Sequence, residues 1–258
     1  MDRPPRQAPM TDILATRRGA VQALGFNRPA KRNAITAAMY AALAGHIAQA
    51  EADGGVRVLL FHGLPEVFTS GNDIEDFAER PPLGEDTPVF RFLRAMSGAK
   101  KPIVASVTGN AVGIGTTMLL HCELVIAGDN ARFALPFAQL GLVPEFASSY
   151  LLPRAAGYQR AAELLMLGEP FDAQRALEAG VVTRVVAAER ALEEAWSVAE
   201  RLASLPERSV LLTKALLKAP HAEAVARQMS LEGGHFRTLL TEPAARAALA
   251  AFLAKRRA

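Results

Sequence analysis

The sequence predicts an α/β protein, and three observations carry that reading. Short apolar runs bounded by glycine or a turn, "VRVLLFHG" (56–63), "KPIVASVTG" (101–109) and "CELVIAG" (122–128), have the length and β-branched content of buried strands. Segments of helical length separate them, the alternation from which α/β folds are built. The chain has 258 residues, 50% hydrophobic and 21% charged. That suffices to bury one large core, alone or with a smaller appendage.

Taken in order, residues 1–11 read as a loose N-terminal tail. "DILATRRGAVQALGF" (12–26) reads as a hairpin turning near Arg18-Gly19, because two extended runs flank a glycine. "NRPAKRNA" (27–34) is loop. Thr36 is placed to cap a helix from Ala37 to about Ala52, and Asp53-Gly54-Gly55 ends it. A strand follows at 56–63. Pro81 to Pro88 form a proline-rich loop before a helix over about 89–97. "KPIVASVTG" is the next strand, "GIGTTMLLH" (113–121) a helix, "CELVIAG" a strand and "ARFALP" (131–136) a short one. From Gly157 the chain turns helical and alanine-rich, with helices at about 158–167, 172–179, 189–204, 207–218, 221–240 and 243–256. One strand lies near "VVTRVV" (181–186). The shift near residue 200 divides a core (12–200) from a C-terminal helical subdomain (201–258).

Composition excludes several functions. The net charge is +3 and the basic residues are scattered apart from Lys255, Arg256 and Arg257, a poor footprint for nucleic acid. A lone cysteine, Cys122, admits no internal disulfide and fits a reducing compartment. The first ten residues, "MDRPPRQAPM", lack the apolar stretch of a secretory signal. No apolar run reaches the roughly 18 residues of a membrane span. A cytoplasmic protein is expected. The five histidines show no metal-ligand spacing, so no metal site is expected. Signatures of serine hydrolases, P-loop enzymes and dinucleotide-binding folds are missing.

Two glycine-bearing connections stand out. "FTSGNDI" (68–74) places Gly71 where a strand-to-helix turn must bend, and "GNAVGIG" (109–115) opens onto a helix. Each offers tight backbone with free N–H groups, and two such donors converging would make an oxyanion hole. Each alone reads more readily as an ordinary strand-to-helix turn, since glycine is common in loops. A third segment, "GLVPEFASS" (141–149), sets one carboxylate, Glu145, among apolar and small hydroxyl side chains. It is either a surface acid or a pocket acid with altered proton affinity.

Together, "SGND", "GNAVGIG" and "LVPEFASSYLLPRAAG", with "FNRPAKRNAIT" before them and "AFLAKRR" after, resemble the crotonase superfamily of enoyl-CoA hydratases and isomerases. The resemblance covers about residues 12–257. It implies a crotonase-like spiral of ββα turns with a C-terminal helical trimerisation region, and homotrimers or pairs of trimers. It implies an acyl-CoA thioester as substrate, with CoA arriving on the substrate and no other cofactor. The backbone N–H groups of Asn72 and Ile114 match the oxyanion hole, Ile114 replacing the more usual glycine. Hydratases of the family use two glutamates, but the matching positions here are Thr117 and Phe137. Neither moves a proton near neutral pH, which disfavours a conventional hydratase.

Glu145 matches the glutamate of the "PEG" segment in the peroxisomal-type Δ3,Δ2-enoyl-CoA isomerases, whose "SGND" is Ser70 to Asp73 here. Phe146 and Ala147 replace the "GC" that usually follows. The resemblance therefore implies an isomerase with Glu145 as the acid/base, a dry wall including Phe137 and Phe146, and substrate contacts from Ser70, Gly71, Asp73 and Ile74. It places Lys31 near the nucleotide end of CoA, where solvated loop charge is an equal account. It has Phe252 and Lys255 reaching CoA from a neighbouring subunit; Lys255 is also placed to favour its own helix C-terminus. Asp73 reads more simply as a residue ordering its loop, and His121 and Cys122 as core packing. Another crotonase-type acyl-CoA reaction, including weak hydration by Glu145 alone, and a non-catalytic acyl-CoA binder stay as alternatives.

Overall fold

A computed structural model describes residues 11–79, 84 and 86–257. The N-terminal tail to residue 10 and most of the proline-rich loop thus lie outside the described residues. Ten strands form two sheets. They are β1 (Ile13–Arg18), β2 (Val21–Phe26), β3 (Val58–His62), β4 (Val67–Thr69), β5 (Ile103–Val107), β6 (Asn110–Val112), β7 (Leu124–Gly128), β8 (Arg132–Ala134), β9 (Phe171–Asp172) and β10 (Arg184–Val186). The larger sheet has the order β1-β2-β3-β5-β7-β10, and the smaller β4-β6-β8-β9. Only β1 in the first and β9 in the second run antiparallel to their neighbours. Each long strand is followed within a few residues by a short one in the second sheet: β3 by β4, β5 by β6, β7 by β8. This is the expected spiral of ββα turns.

The apolar runs are continuous because both faces of the large sheet are covered. Leu59, Phe61, Ile103, Ala105, Val107, Val125 and Ala127 face the main core. The alternate residues Val58, Leu60, Val104 and Ile126 meet Trp196, Ala195 and Ala199 of the helix Ala191–Ser204 on the other face. In the central strands β3, β5 and β7 the period of two thus divides apolar residues between two cores.

Eleven α-helical segments are described: α1 (Ala37–Ala52), α2 (Ile74–Glu79), α3 (Pro88–Ser97), α4 (Ile114–Thr117), α5 (Ser148–Ala156), α6 (Tyr158–Ala162), α7 (Ala173–Glu178), α8 (Ala191–Ser204), α9 (Glu207–Lys218), α10 (Ala222–Leu240) and α11 (Pro243–Arg257). Thr36 caps α1, its hydroxyl accepting from Met39 N at 3.3 Å. The helix expected over 113–121 is one α turn followed by a 3-10 turn, Met118–His121. That expected over 158–167 ends in a π turn, Glu163–Leu167. Helix α5 and the short strands β4, β6 and β9 have no counterpart in the sequence reading.

Gly109 shows how tightly the sheets are joined. Its φ is +60°, and an added Cβ would lie 1.9 Å from the Glu66 carbonyl oxygen. Gly109→Ala is therefore expected to cost about 3 kcal/mol of stability through clash and left-handed strain. A denaturant midpoint unchanged from wild type would contradict that.

Candidate active site

Three loops and the last two helices enclose a cavity of about 700 Å³. The first loop, between β4 and α2, is held rigidly. Ile35 N donates to Gly71 O at 2.8 Å, and Asp73 N donates to Ile35 O at 2.9 Å. Thr69 Oγ1 accepts from Gly71 N at 3.1 Å, and Tyr40 donates its hydroxyl to Asn72 Oδ1 at 2.5 Å. The N–H of Asn72 is left without an acceptor among the described residues. The second loop joins β6 to α4, where the N–H of Ile114 opens the helix and has no partner within it.

These two loops touch. Gly71, at φ +85°, is packed so closely that an added Cβ would lie 2.8 Å from Val112 O. One at Gly115 would lie 2.6 Å from Thr69 Cγ2. Ser70, Gly71 and Asn72 therefore line the same cavity as Val112, Gly113 and Ile114.

The third loop carries Glu145, the one carboxylate among the cavity's lining residues. It is 8% exposed, and its Oε1 has no hydrogen-bond partner among the described residues. Burial pushes its pKa up to about 8, with help from the nearby carboxylate of Glu232. Its main chain is fixed: Ser148 donates to Glu145 O through Oγ at 2.6 Å and through N at 3.1 Å.

The next two residues, Phe146 and Ala147, are left-handed, with φ of 61° and 54°. Side chains other than glycine disfavour that region. The Phe146 ring stacks on His121 at 3.8 Å, and Phe146 O lies 2.8 Å from His121 Nε2. Burial holds His121 neutral by lowering its pKa to about 3, so the ring's single proton is on Nε2, donated to that carbonyl.

Of the remaining residues singled out in the sequence, Ile74 and Phe137 line the cavity. Phe146 departs from its expected place, and Asp73 and Lys31 take the structural roles that were the simpler or equal account of each. Phe146 belongs to no cavity wall: it is buried against His121 and Phe92. Asp73 is 4% exposed and is occupied by its own chain. It takes Arg28 Nη1 at 2.5 Å and the N–H groups of Glu75 and Asp76 that open α2, and those donors lower its pKa against the cost of burial. Lys31 pairs with Glu75 at 3.0 Å on the surface; the basic residue lining the cavity is Arg32. Phe252 and Lys255 fall on α11, but their side chains lie outside those described. That helix folds onto its own chain: Leu249 lines the cavity, and Ala245 abuts Gly141.

Thr117 is fully buried, is not a lining residue, and keeps an unpartnered hydroxyl. A second cavity, of about 500 Å³ between α3, α9 and α10, contains no carboxylate. Among the described residues no cluster of His, Cys, Asp or Glu is arranged to hold a metal ion, and no helix is long and apolar enough to cross a membrane.

The family model described as enoyl-CoA hydratase/isomerase matches residues 16–258. The chain belongs to the enoyl-CoA hydratase/isomerase family. Within it, the chain is 33% identical over 254 residues to the 1,2-epoxyphenylacetyl-CoA isomerase of Escherichia coli K12, covering 96% of this chain and 97% of that protein. It is 36% identical over 217 residues to enoyl-CoA delta isomerase 2 of Rattus norvegicus, covering 82% of this chain and 55% of that protein. The structure of Pseudomonas aeruginosa OdaA superposes with a TM-score of 0.92 at 45% identity, covering 94% of this chain and 99% of that one. These likenesses bear out the crotonase fold and the membership of an enzyme family.

Sequence reasoning missed Glu232. It lies on α10, is 4% exposed, and shares one helix face with the buried Phe236 and Leu240. A carboxylate on an apolar stripe at i, i+4, i+8 is the signal that could have found it.

Proposed function

We propose that this enzyme is a Δ3,Δ2-enoyl-CoA isomerase in which Glu145 is the only acid/base. The observation that carries the reading is a single buried, unpaired carboxylate facing a largely apolar cavity beside two free main-chain donors. Ionised Glu145 removes a proton from C2 of a 3-enoyl thioester. Electrons of the broken C–H bond move onto the thioester oxygen, and the dienolate is held by the N–H groups of Asn72 and Ile114. The carboxylic acid so formed gives the proton to C4, which leaves the double bond between C2 and C3. No cofactor is needed beyond the CoA that the substrate carries.

The reaction needs a base that holds its proton well enough to take one from carbon, and burial of Glu145 supports that. Phe137, Leu140 and Phe236 on the cavity wall disfavour the ordered water that hydration requires. Because the base must be ionised to start, kcat/KM is expected to rise with pH and level off above about 8. A profile flat from pH 6 to 9 would contradict it.

The direct test compares trans-3-hexenoyl-CoA, followed by conjugated-enoyl absorbance, with trans-2-hexenoyl-CoA, followed by 3-hydroxyacyl product. Isomerisation well above hydration is expected. Hydration exceeding isomerisation would overturn the reading, and activity on neither would favour a binder or an unusual acyl substrate. We also propose homotrimers or hexamers, an arrangement that would cover the exposed Leu212, Leu216 and Leu217 of α9. A monomer mass in sedimentation would refute it.

A further inference from the structure

We infer that Glu232 is a positioning residue for Glu145: from α10 its carboxylate grips the strained turn behind the base and fixes the direction in which the base enters the cavity. The inference rests on the isomerase reading for its kinetic consequences, but its geometry stands apart from the reaction.

Glu232 accepts Ala147 N at 2.6 Å through Oε2. Through Oε1 it accepts Ser149 N at 3.0 Å and Ser149 Oγ at 2.5 Å. Gln228, one turn earlier on α10, donates to Ser149 Oγ at 2.8 Å and completes the network. The residues held are the second and fourth after Glu145. The two residues directly after the base, Phe146 and the gripped Ala147, are left-handed, a conformation that their own side chains disfavour. A turn of that kind persists only when its surroundings impose it. Here they do so from two sides, His121 holding Phe146 O and Glu232 holding Ala147 N. No side chain of the local sequence caps the N-terminus of α5; Glu232 supplies the acceptor.

Glu232 lines neither cavity, so it touches no substrate there. Its charge still reaches the base. Neither carboxylate has a cationic partner among the described residues. The other groups around the pair are the neutral His121 below Phe146 and the Tyr40 hydroxyl of α1, whose own pKa is raised by burial and by Glu145. Arg32 also lines the cavity, and Arg237, on the next turn of α10, lies over the Phe90 ring. Burial raises the pKa of Glu232 to about 7, against the pull of its Ser149 and Ala147 donors. Where Glu232 is ionised, its like charge opposes the ionisation of Glu145.

Two variants separate grip from charge. Glu232→Gln removes the charge and one acceptor. The expected result is a plateau kcat lowered about tenfold, an unchanged KM, and a rising limb of kcat/KM displaced about one pH unit toward acid. Glu232→Asp keeps the charge and shortens the reach, so kcat should fall with the limb near its wild-type position. A Glu232→Gln limb that stays put, or a loss confined to KM, overturns the inference. Should Glu232→Gln not fold, an undiminished kcat in Glu232→Asp, or a displaced limb there, overturns it instead.

A substrate-free measurement keeps this apart from the isomerase reading. The pH dependence of the melting-temperature difference between wild type and Glu145→Gln reports Glu145 ionisation directly. Its midpoint should move acidward when both chains carry Glu232→Gln. If it moves while no isomerisation is found, the reaction assignment fails and the positioning role stands. If it does not move, the positioning role fails whatever the activity.

Discussion

Glu145→Gln is expected to lower turnover of trans-3-hexenoyl-CoA by about 10³-fold or more while KM stays within a few-fold. The amide keeps the volume of the side chain and its place on the cavity wall but takes no proton from carbon. No substitute is at hand. Glu145 is the only carboxylate among the lining residues, and Glu232 is engaged with Ala147 and Ser149 away from the cavity. The Thr117 hydroxyl is buried off the wall. In the proposed reaction one residue performs both proton transfers, so losing it would stop the removal at C2 and the return at C4 together. A variant retaining more than a tenth of wild-type kcat on a purified, folded sample would remove Glu145 from the mechanism.

The same substitution is expected to make the protein more stable in alkaline buffer. The pKa of Glu145 is near 8 in the folded chain against an ordinary 4.5, so between those values the folded state binds more protons than the unfolded one. Stability from this group is therefore fully present below about pH 4.5 and is lost as pH rises through 8. Ionising it in place costs about 5 kcal/mol. Glutamine carries no such cost, so its advantage over wild type should grow from pH 5 to pH 9. The gain in melting temperature should reach about 10 °C. Melts of both chains at fixed protein concentration and both pH values check this, and a difference independent of pH would show that Glu145 ionises freely.

Much of the architecture was legible because long elements carry their own signals. The strands around Leu60, Val104 and Ile126 are apolar on both faces, and Thr36 announces the helix that it caps. The short strands of the second sheet were not legible. Three residues such as Val67–Thr69 or Asn110–Val112 are too few to show a period, and they are strands only because the neighbouring turns of the spiral pair with them. Helix α5 was hidden for another reason. Pro153 interrupts its pattern, and its N-terminal acceptor comes from Glu232, more than eighty residues away in the chain.

At the site, Glu145 stood out as a lone acid in apolar sequence. Asp73 and Lys31 carried the same kind of prominence, yet their partners, Arg28 and Glu75, occupy them structurally. Local sequence names the charged residue but not the partner that neutralises it. Phe146 was misread because a left-handed backbone turns a side chain away from the neighbour that it follows.

The helices over the cavity bear on how the enzyme comes into being. Asn72, Ile114 and Glu145 leave the ribosome well before Glu232, Phe236 and Leu249, which brace the base and roof the chamber. A chain ending before α10 would lack the acceptor for Ala147 N and the Phe236 and Leu249 walls of the chamber, leaving the Glu145 carboxylate open to bulk water.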